Sequence, residues 1–246
     1  MRSALLALGF LFFVILVALV YKLPAKFVYQ QLPSSSIQLG DISGSIWSGH
    51  VDAIHTPELI INDLDWQLSF WSLLVGDINL QWTVNDPSVM LQGQLNISGE
   101  NIRLMNLEGQ LDLVGLAERM TEQSILFGGN VDIDIAMLQI EDENFIDAVG
   151  GAKWVPAQLL APENIELGEF KADLSTDSER LIVELKDTGG ATMLDGEFKI
   201  SPKGRYDYYL RIIIRDTSVP GLLDGFYQLP QQGDGSALLS GHGNLF

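Results

Sequence analysis

Apolar and polar residues alternate along much of this chain, and the alternation restricts the possible folds more than any other feature of the sequence. Val131, Ile133 and Ile135 are separated by Asp132 and Asp134. Two further segments with this pattern are residues 181–185 and 206–214. Because successive side chains of a β-strand point to opposite faces, the pattern predicts strands with one buried and one solvated face. We therefore expect a mainly β protein built on a long, twisted, largely antiparallel sheet.

Glycine doublets punctuate the apolar segments and indicate where strands turn or bulge, because glycine tolerates positive φ. The doublets are Gly128-Gly129, Gly150-Gly151 and Gly189-Gly190. Helical patterning is scarce by comparison. Residues 70–75 are long enough for one turn, and residues 116–126 are the best amphipathic candidate. The sequence thus predicts one or two short helices beside the sheet.

An uncharged apolar run of 18 residues, positions 4–21, lies near the N-terminus between Arg2 and the pair Lys22 and Lys26. As a helix it would extend about 27 Å, close to the roughly 30 Å of a bilayer's hydrocarbon core. The alternative is a cleaved secretory signal, whose apolar region usually spans about 7–15 residues and ends in a small-x-small site. Cleavage after Ala25 would place Leu23 at the minus-three position, where a small residue is required. We therefore predict an uncleaved transmembrane helix with these three basic residues as its flanks.

The basic residues on the two sides of the apolar run nearly balance, so their charge alone does not fix the orientation. A long C-terminal domain crosses a membrane largely regardless of its charge, which places it outside the cytoplasm. We expect residues 1–3 in the cytoplasm, 4–21 in the membrane, 22–36 as a tether and 37–246 as the β domain. A change of composition at residues 156–162 predicts either a crease in one sheet or a boundary between two lobes.

The expected outer domain is strongly acidic. The whole chain carries a net charge of −18, and without its three membrane-flanking cations 11 basic residues remain against 32 acidic ones, a net of −21. Such a charge repels nucleic-acid phosphates, so we expect no nucleic-acid partner. The sequence contains no cysteine, which excludes disulfides, cysteine–zinc sites and thiol catalysis.

Candidate catalytic and metal-binding groups do not form a recognisable pattern. His50, His55 and His242 are scattered, without the spacing of a zinc site. Asp132 and Asp134 occupy alternate strand positions and therefore share one face, as a solvated sheet face requires. No serine or threonine stands in a nucleophile motif with a matching base. We accordingly predict a protein that is not an enzyme and that has no metal and no cofactor.

Six ordered segments resemble a known family. They are GSIWSGHV from Gly44, LDWQLSFWSLLVGDINLQW from Leu64, GGAKW from Gly150, LGEFKADLS from Leu167, LKDTGGATMLDGEFKISPKGRYDYYLRI from Leu185 and LSGHGNL from Leu239. Their order and spacing resemble the protein N family of the bacterial type II secretion system, the general secretion pathway. Most of residues 85–149 carries no segment that contributes to the likeness.

This resemblance implies a bacterial inner-membrane protein, crossing once, whose β domain lies in the periplasm of a Gram-negative cell. It implies a role in exporting folded proteins across the outer membrane together with other secretion components, and no enzymatic activity. Its structural motif residues in this sequence are Gly44, Trp47, Gly49, Trp66, Gly150, Gly151, Trp154, Gly189 and Gly190.

Trp47 raises a structural question, because the largest side chain stands between two glycines in a serine-rich segment. We predict that Gly44 and Gly49 let the backbone turn while Trp47 packs into the sheet, an architectural role. A second interpretation of the fold is a lipid-binding sheet similar to the AsmA-like β-groove proteins. A continuous apolar face that is open on one side would favour lipid, whereas a face closed by its own side chains would favour a scaffold.

Overall fold

The computed structural model of the protein describes residues 23–29, 38–56, 59–119, 126–142, 144–161, 164–201, 203–219, 221–227 and 229–244. Within these residues, fourteen strands form one antiparallel sheet. Strands β1 to β7 are Gln38–Leu39, Ile42–Gly44, Ser48–His55, Ile60–Leu68, Asp77–Asp86, Val89–Ser98 and Asn101–Asp112. Strands β8 to β14 are Leu126–Glu141, Asn144–Ala161, Ile165–Asp177, Arg180–Gly189, Thr192–Ile200, Arg205–Ile214 and Ala237–Asn244. The prediction of a mainly β fold with one large antiparallel sheet is confirmed.

Strand order follows chain order. From β3 to β14 each strand pairs with the next one, and β1 and β2 both pair with β3. Tight turns make this order possible: Asp177 faces Arg180 across a two-residue turn in which Ser178 has φ 51° and Glu179 has φ 65°. Positive φ at both central residues is typical of the hairpin turn whose twist matches that of the flanking strands. The chain therefore builds its sheet by successive hairpins.

Four short helices accompany the sheet in the described part of the chain, where one or two were expected. They are α1 (Ala25–Tyr29), α2 (Phe70–Leu74), α3 (Leu113–Ala117) and α4 (Leu222–Tyr227). Helix α1 falls inside the segment predicted as a tether. Helix α4 buries Leu222 and Phe226, which are four positions apart and share one helical face. The spacing of Leu222 and Phe226 is the signal for this helix in the sequence.

The two predicted helices differ in how well their positions match. Helix α2 begins where expected, and the Ser69 side chain caps it by accepting a hydrogen bond from the Ser72 amide. Helix α3 begins three residues before the predicted start, because the Asp112 side chain accepts a hydrogen bond from the Val114 amide. Residues 120–125 of the predicted helix lie outside the described residues.

The predicted transmembrane run at residues 4–21 also lies outside the described residues. None of the helices that are described has the length and apolar character needed to span a bilayer.

One face of the sheet is apolar across almost its whole width. Residues paired directly across neighbouring strands lie on the same face, so consecutive pairings trace a row. One row crosses twelve strands, β3 to β14: Val51, Leu64, Val84, Leu91, Gly109, Ile133, Ala152, Ala172, Leu185, Gly196, Leu210 and Leu239. We call the side of the sheet that carries this row the apolar face.

The opposite side carries most of the charge in the neighbouring row. That row contains His50, Asp65, Thr83, Gln92, Glu108, Asp134, Gly151, Asp173, Glu184, Glu197, Tyr209 and Ser240. Six of these residues are carboxylates, so the acidity of the chain is concentrated on one side of the sheet. We call this side the polar face. The alternation in the sequence therefore describes the two faces of one sheet.

The apolar face is only partly covered. Helix α3 packs over its N-terminal part, where Leu116 joins Val84 and Val89 in a buried cluster. In the twelve-strand row, Val51 and Val84 are buried and the other ten residues are half-buried. Most of this face therefore keeps some contact with solvent.

Candidate interaction surface

Residues of the first and second predicted motif segments lie together in one corner of the sheet. Gly44 pairs with Gly49, Gly49 pairs with Trp66, and Trp66 pairs with Trp82 on the next strand. The Trp66 indole lies over Gly49, and its Nε1 donates to the carbonyl of Ile46 at 3.2 Å. Any Cβ at position 49 would collide with this ring and lie 2.7 Å from the Ser43 carbonyl oxygen. Position 49 therefore requires glycine, because the Trp66 ring and the Ser43 carbonyl leave no room for a side chain.

Trp47 lies in the turn between β2 and β3 and is 8% exposed. Its ring meets the Phe70 ring edge-on, with 5.0 Å between the ring centroids. Its backbone carbonyl accepts a hydrogen bond from the Leu68 amide at 2.7 Å. The Trp47 side chain thus joins the first hairpin to helix α2.

The second tryptophan motif lies in a different part of the sheet. Trp154 on β9 donates from Nε1 to the Gly128 carbonyl at 2.9 Å. Its ring lies 5.6 Å from that of Phe127 and 5.8 Å from that of Phe170. The nine predicted motif residues therefore do not form one site, because Trp47 and Trp154 belong to separate aromatic groups.

Three of the four remaining motif glycines mark close backbone approaches. On β9, Gly150 lies against the backbone of Asp134 and Ile135, while Gly151 lies against that of Ala172. At the end of β11, Gly190 lies against Gly168 of the neighbouring strand, whereas a Cβ at Gly189 would meet no atom within 4 Å. Gly150, Gly151 and Gly190 therefore allow close packing of adjacent strands and contribute no chemical group.

A cavity of about 450 Å³ lies between helix α3 and the apolar face. Its lining residues are Leu113, Leu116, Ala117, Leu126, Phe127, Val131, Ala152, Trp154, Phe170, Lys171, Ala172 and Leu185. Lys171 is the one charged residue among them, and its Nζ is paired with Asp173 at 2.6 Å. A volume of this size and an apolar lining suit a hydrocarbon group rather than a charged one.

An ion pair between Asp86 and Arg119 was not anticipated from the sequence. Asp86 is fully buried and accepts hydrogen bonds from the Arg119 guanidinium at 2.7 Å, the Ser88 amide at 2.8 Å and Asn62. Burial alone would raise the pKa of Asp86, but these hydrogen bonds outweigh it and hold the pKa at about 2. The pair attaches the residue that follows helix α3 to the hairpin between β5 and β6.

His50 is held on the polar face by carboxylates from two strands. Its Nδ1 lies 3.0 Å from Asp65, and its Nε2 lies 3.1 Å from Asp52 and 3.8 Å from Asp63. The hydrogen bond to Asp65 raises the pKa of His50 above its ordinary value, against a smaller opposing effect of burial. The arrangement favours the imidazolium ion and links β3 to β4.

The predicted membrane-flanking cations are described only in part. Lys26 lies in helix α1, and its Nζ is 3.9 Å from Asp41. Arg2 and Lys22 lie outside the described residues.

The extended surface of the described residues is the apolar face. The sequence left open whether such a face is continuous, because separate strands do not reveal their register. The alternation in the sequence shows which residues of each strand are apolar. Only the pairing of strands shows that these residues form one row across twelve strands.

Comparison with known families defines the class of protein. The sequence model described as "Type II secretion system (T2SS), protein N" matches residues 35–224. Because the match covers most of the chain and of the sheet, the chain belongs to this family of secretion-system subunits.

Two relatives carry the same name. The chain is 25% identical over 196 residues to the type II secretion system protein N of Aeromonas hydrophila, covering 76% of this chain and 77% of the relative. It is 24% identical over 202 residues to the protein of that name from Vibrio cholerae serotype O1, covering 78% and 79%. No solved structure matches the chain significantly.

Proposed function

We propose that this chain is a non-catalytic subunit of the type II secretion system, anchored in the inner membrane by residues 4–21. Its β domain, residues 37–246, lies in the periplasm and assists the export of folded proteins across the outer membrane. The observation that carries the proposal is the family match over residues 35–224. Secretion is the role that this match supports, and no catalytic group is needed for it.

The apolar face supports a binding role within this function. Ten of the twelve residues in its long row are half-buried, so a partner that covered them would remove apolar area from water. Acidic residues on the polar face keep that side solvated. We therefore expect other components of the secretion system to contact the apolar face.

Photo-crosslinking in cells tests this role with probes that differ only in the face they occupy. Leu91 and Gln92 are neighbours on β6, and Ala172 and Asp173 are neighbours on β10, with opposite faces in each pair. We expect probes at Leu91 and Ala172 to give adducts with secretion-system proteins, identified by mass spectrometry, and those at Gln92 and Asp173 to give few. Equal adducts from both faces would contradict docking through the apolar face.

A second candidate function is the binding or transfer of lipid. It is favoured by the unbroken apolar row and by the cavity of about 450 Å³ beneath helix α3. A sheet with one apolar and one polar face can bind acyl chains on one side and remain solvated on the other. The same crosslinking experiment separates the candidates, since phospholipid or lipopolysaccharide adducts at Leu91 and Ala172 would favour lipid.

The absence of cysteine allows the proposed membrane placement to be tested cleanly. Single cysteines replace Ser3 and Gly233, and intact spheroplasts are treated with a membrane-impermeant maleimide. We expect labelling of Gly233→Cys in intact spheroplasts and of Ser3→Cys only after permeabilisation. Labelling of both before permeabilisation, or of neither, would contradict the proposed topology.

A further inference from the structure

The polar face contains a cationic cavity that interrupts its otherwise acidic character. The cavity has a volume of about 450 Å³ and lies at the ends of β11 to β14. Three cationic side chains line it: Arg180, Lys199 and Arg205. Asp207 is the one carboxylate in the lining. A concentration of positive charge is unusual in a chain with a net charge of −18.

Strand register explains why these groups meet. Lys199 pairs with Asp207, and Asp207 pairs with His242, so the three lie in one row on the polar face. Arg205 pairs with Asn244 at the end of the same strands. Arg180 begins β11 beside the hairpin that connects β12 to β13. The ends of four strands therefore contribute to one cavity.

Two of these cations differ from most others on the sheet because they have no acidic partner. Lys171, Lys186 and Lys199 each pair with a carboxylate two residues away on the same strand. Arg119, Arg211 and Arg215 each pair with an aspartate. Within the described residues, Arg180 and Arg205 form neither a salt bridge nor a side-chain hydrogen bond.

A buried hydroxyl in the same cavity also lacks a partner. Among the described residues, the Oγ atom of Ser201 is inaccessible to solvent and makes no hydrogen bond. Its backbone is fixed, since the Ser201 amide donates to the Arg205 carbonyl at 2.8 Å and the Gly204 amide donates to the Ser201 carbonyl at 2.9 Å. A buried hydroxyl without a partner costs free energy, and because solvent-sized atoms do not reach this Oγ, it would donate to a bound group only after its side chain rotates.

We propose that this cavity binds a phosphate ester. Guanidinium groups donate in a planar fork that matches phosphate oxygens. Lys199 is already paired with Glu197, so the two unpaired arginines against Asp207 give a lining that favours an anion. A volume of about 450 Å³ leaves room for the organic part of the ester beside its phosphate. The phosphate could belong to a soluble metabolite or to a lipid headgroup.

Phosphorus NMR of the full-length chain in a non-ionic detergent tests the proposal, because the detergent also covers the apolar face. The probes are glycerol phosphate, as a soluble ester, and phosphatidic acid in the micelles, with phosphatidylcholine as the lipid control. Saturable binding of glycerol phosphate would support a soluble ligand. Saturable binding of phosphatidic acid alone would support a lipid headgroup. Binding of neither would overturn the proposal.

Substitutions identify the groups responsible. Arg180→Gln with Arg205→Gln should weaken binding at least about tenfold, because charge-assisted hydrogen bonds are lost. Arg103→Gln is the matched control, since Arg103 has no salt bridge among the described residues and lies outside the cavity. Asp207→Asn should strengthen binding about two- to fivefold by removing the opposing charge. Equal weakening by Arg103→Gln, or weakening by Asp207→Asn, would overturn the proposed site.

Discussion

The two ends of the sheet place aromatic rings over glycines in different ways. Near the N-terminus, Trp66 covers Gly49, and its indole nitrogen is hydrogen-bonded to a backbone carbonyl. Near the C-terminus, Tyr208 covers Gly241 on the outermost strand and stacks on Phe198 at 5.4 Å. The first ring is fixed by the backbone, whereas the second is held by a neighbouring ring. We therefore expect the Trp66 ring to be held in place more firmly than the Tyr208 ring.

Ion pairs show a parallel difference. Asp86 in the N-terminal region is fully buried and pairs with the partly buried Arg119, while Asp234 and Arg211 in the C-terminal region form a pair that remains largely exposed. A buried charge depends strongly on its partner, but an exposed one is stabilised by water. We therefore expect loss of the cationic partner to destabilise the Asp86–Arg119 pair more than the Asp234–Arg211 pair.

Truncating an aromatic side chain in each region should give the largest difference. Trp47→Ala should lower the free energy of unfolding by about 3–5 kcal/mol, because a large buried ring is removed. Tyr208→Ala should cost roughly half as much, because Tyr208 is only half-buried. Denaturant unfolding followed by tryptophan fluorescence and circular dichroism provides the measurement. An unchanged stability in Trp47→Ala would contradict its architectural role.

Removing the cation of each ion pair compares the regions directly. Arg119→Met should cost about 3 kcal/mol, because it leaves the carboxylate of Asp86 buried without its charge partner. Arg211→Met, the matched change in an exposed pair, should cost about 0–1 kcal/mol. Both values come from chemical denaturation at neutral pH. Similar costs for the two variants would show that burial of the pair has no consequence.

Replacing each covered glycine by alanine places a methyl group beneath the aromatic ring and tests how far that ring can move. Gly49→Ala should cost about 1–3 kcal/mol, since the Cβ meets both the Trp66 ring and the Ser43 carbonyl. Gly241→Ala should cost less than about 1 kcal/mol, because its Cβ meets the far end of the Tyr208 side chain, which can rotate. Thermal unfolding is a suitable measurement. A larger loss in Gly241→Ala would reverse the comparison.

A smaller effect is expected from the pH dependence of His50. Its pKa is raised in the folded state, so its contribution to stability is complete below the unfolded value of about 6.5. That contribution is lost as the pH rises through the folded pKa. NMR titration of the imidazole should show a lower pKa in Asp65→Asn, which removes the main hydrogen-bonding acceptor. An unaltered His50 titration in this variant would refute the assigned cause.

Alternation in the sequence was sufficient to predict a mainly β protein, because side-chain direction in a strand depends only on position. The apolar residues 70–75, between two strand-like segments, indicated the single helical turn of α2. The alternation could not predict the Asp86–Arg119 pair, whose members are 33 residues apart and are joined only when helix α3 packs. The cationic cavity was equally hidden, since Arg180 and Arg205 meet only through the register of β11 to β14.

The pairing of each strand with its successor has a consequence for how the chain assembles. No strand from β3 onward must wait for a distant segment before it can pair. Contacts between near neighbours in sequence carry a small cost in loop closure, so folding can proceed by addition of one hairpin at a time. A chain that emerges gradually from one end can therefore add each strand to a growing edge as soon as that strand is released.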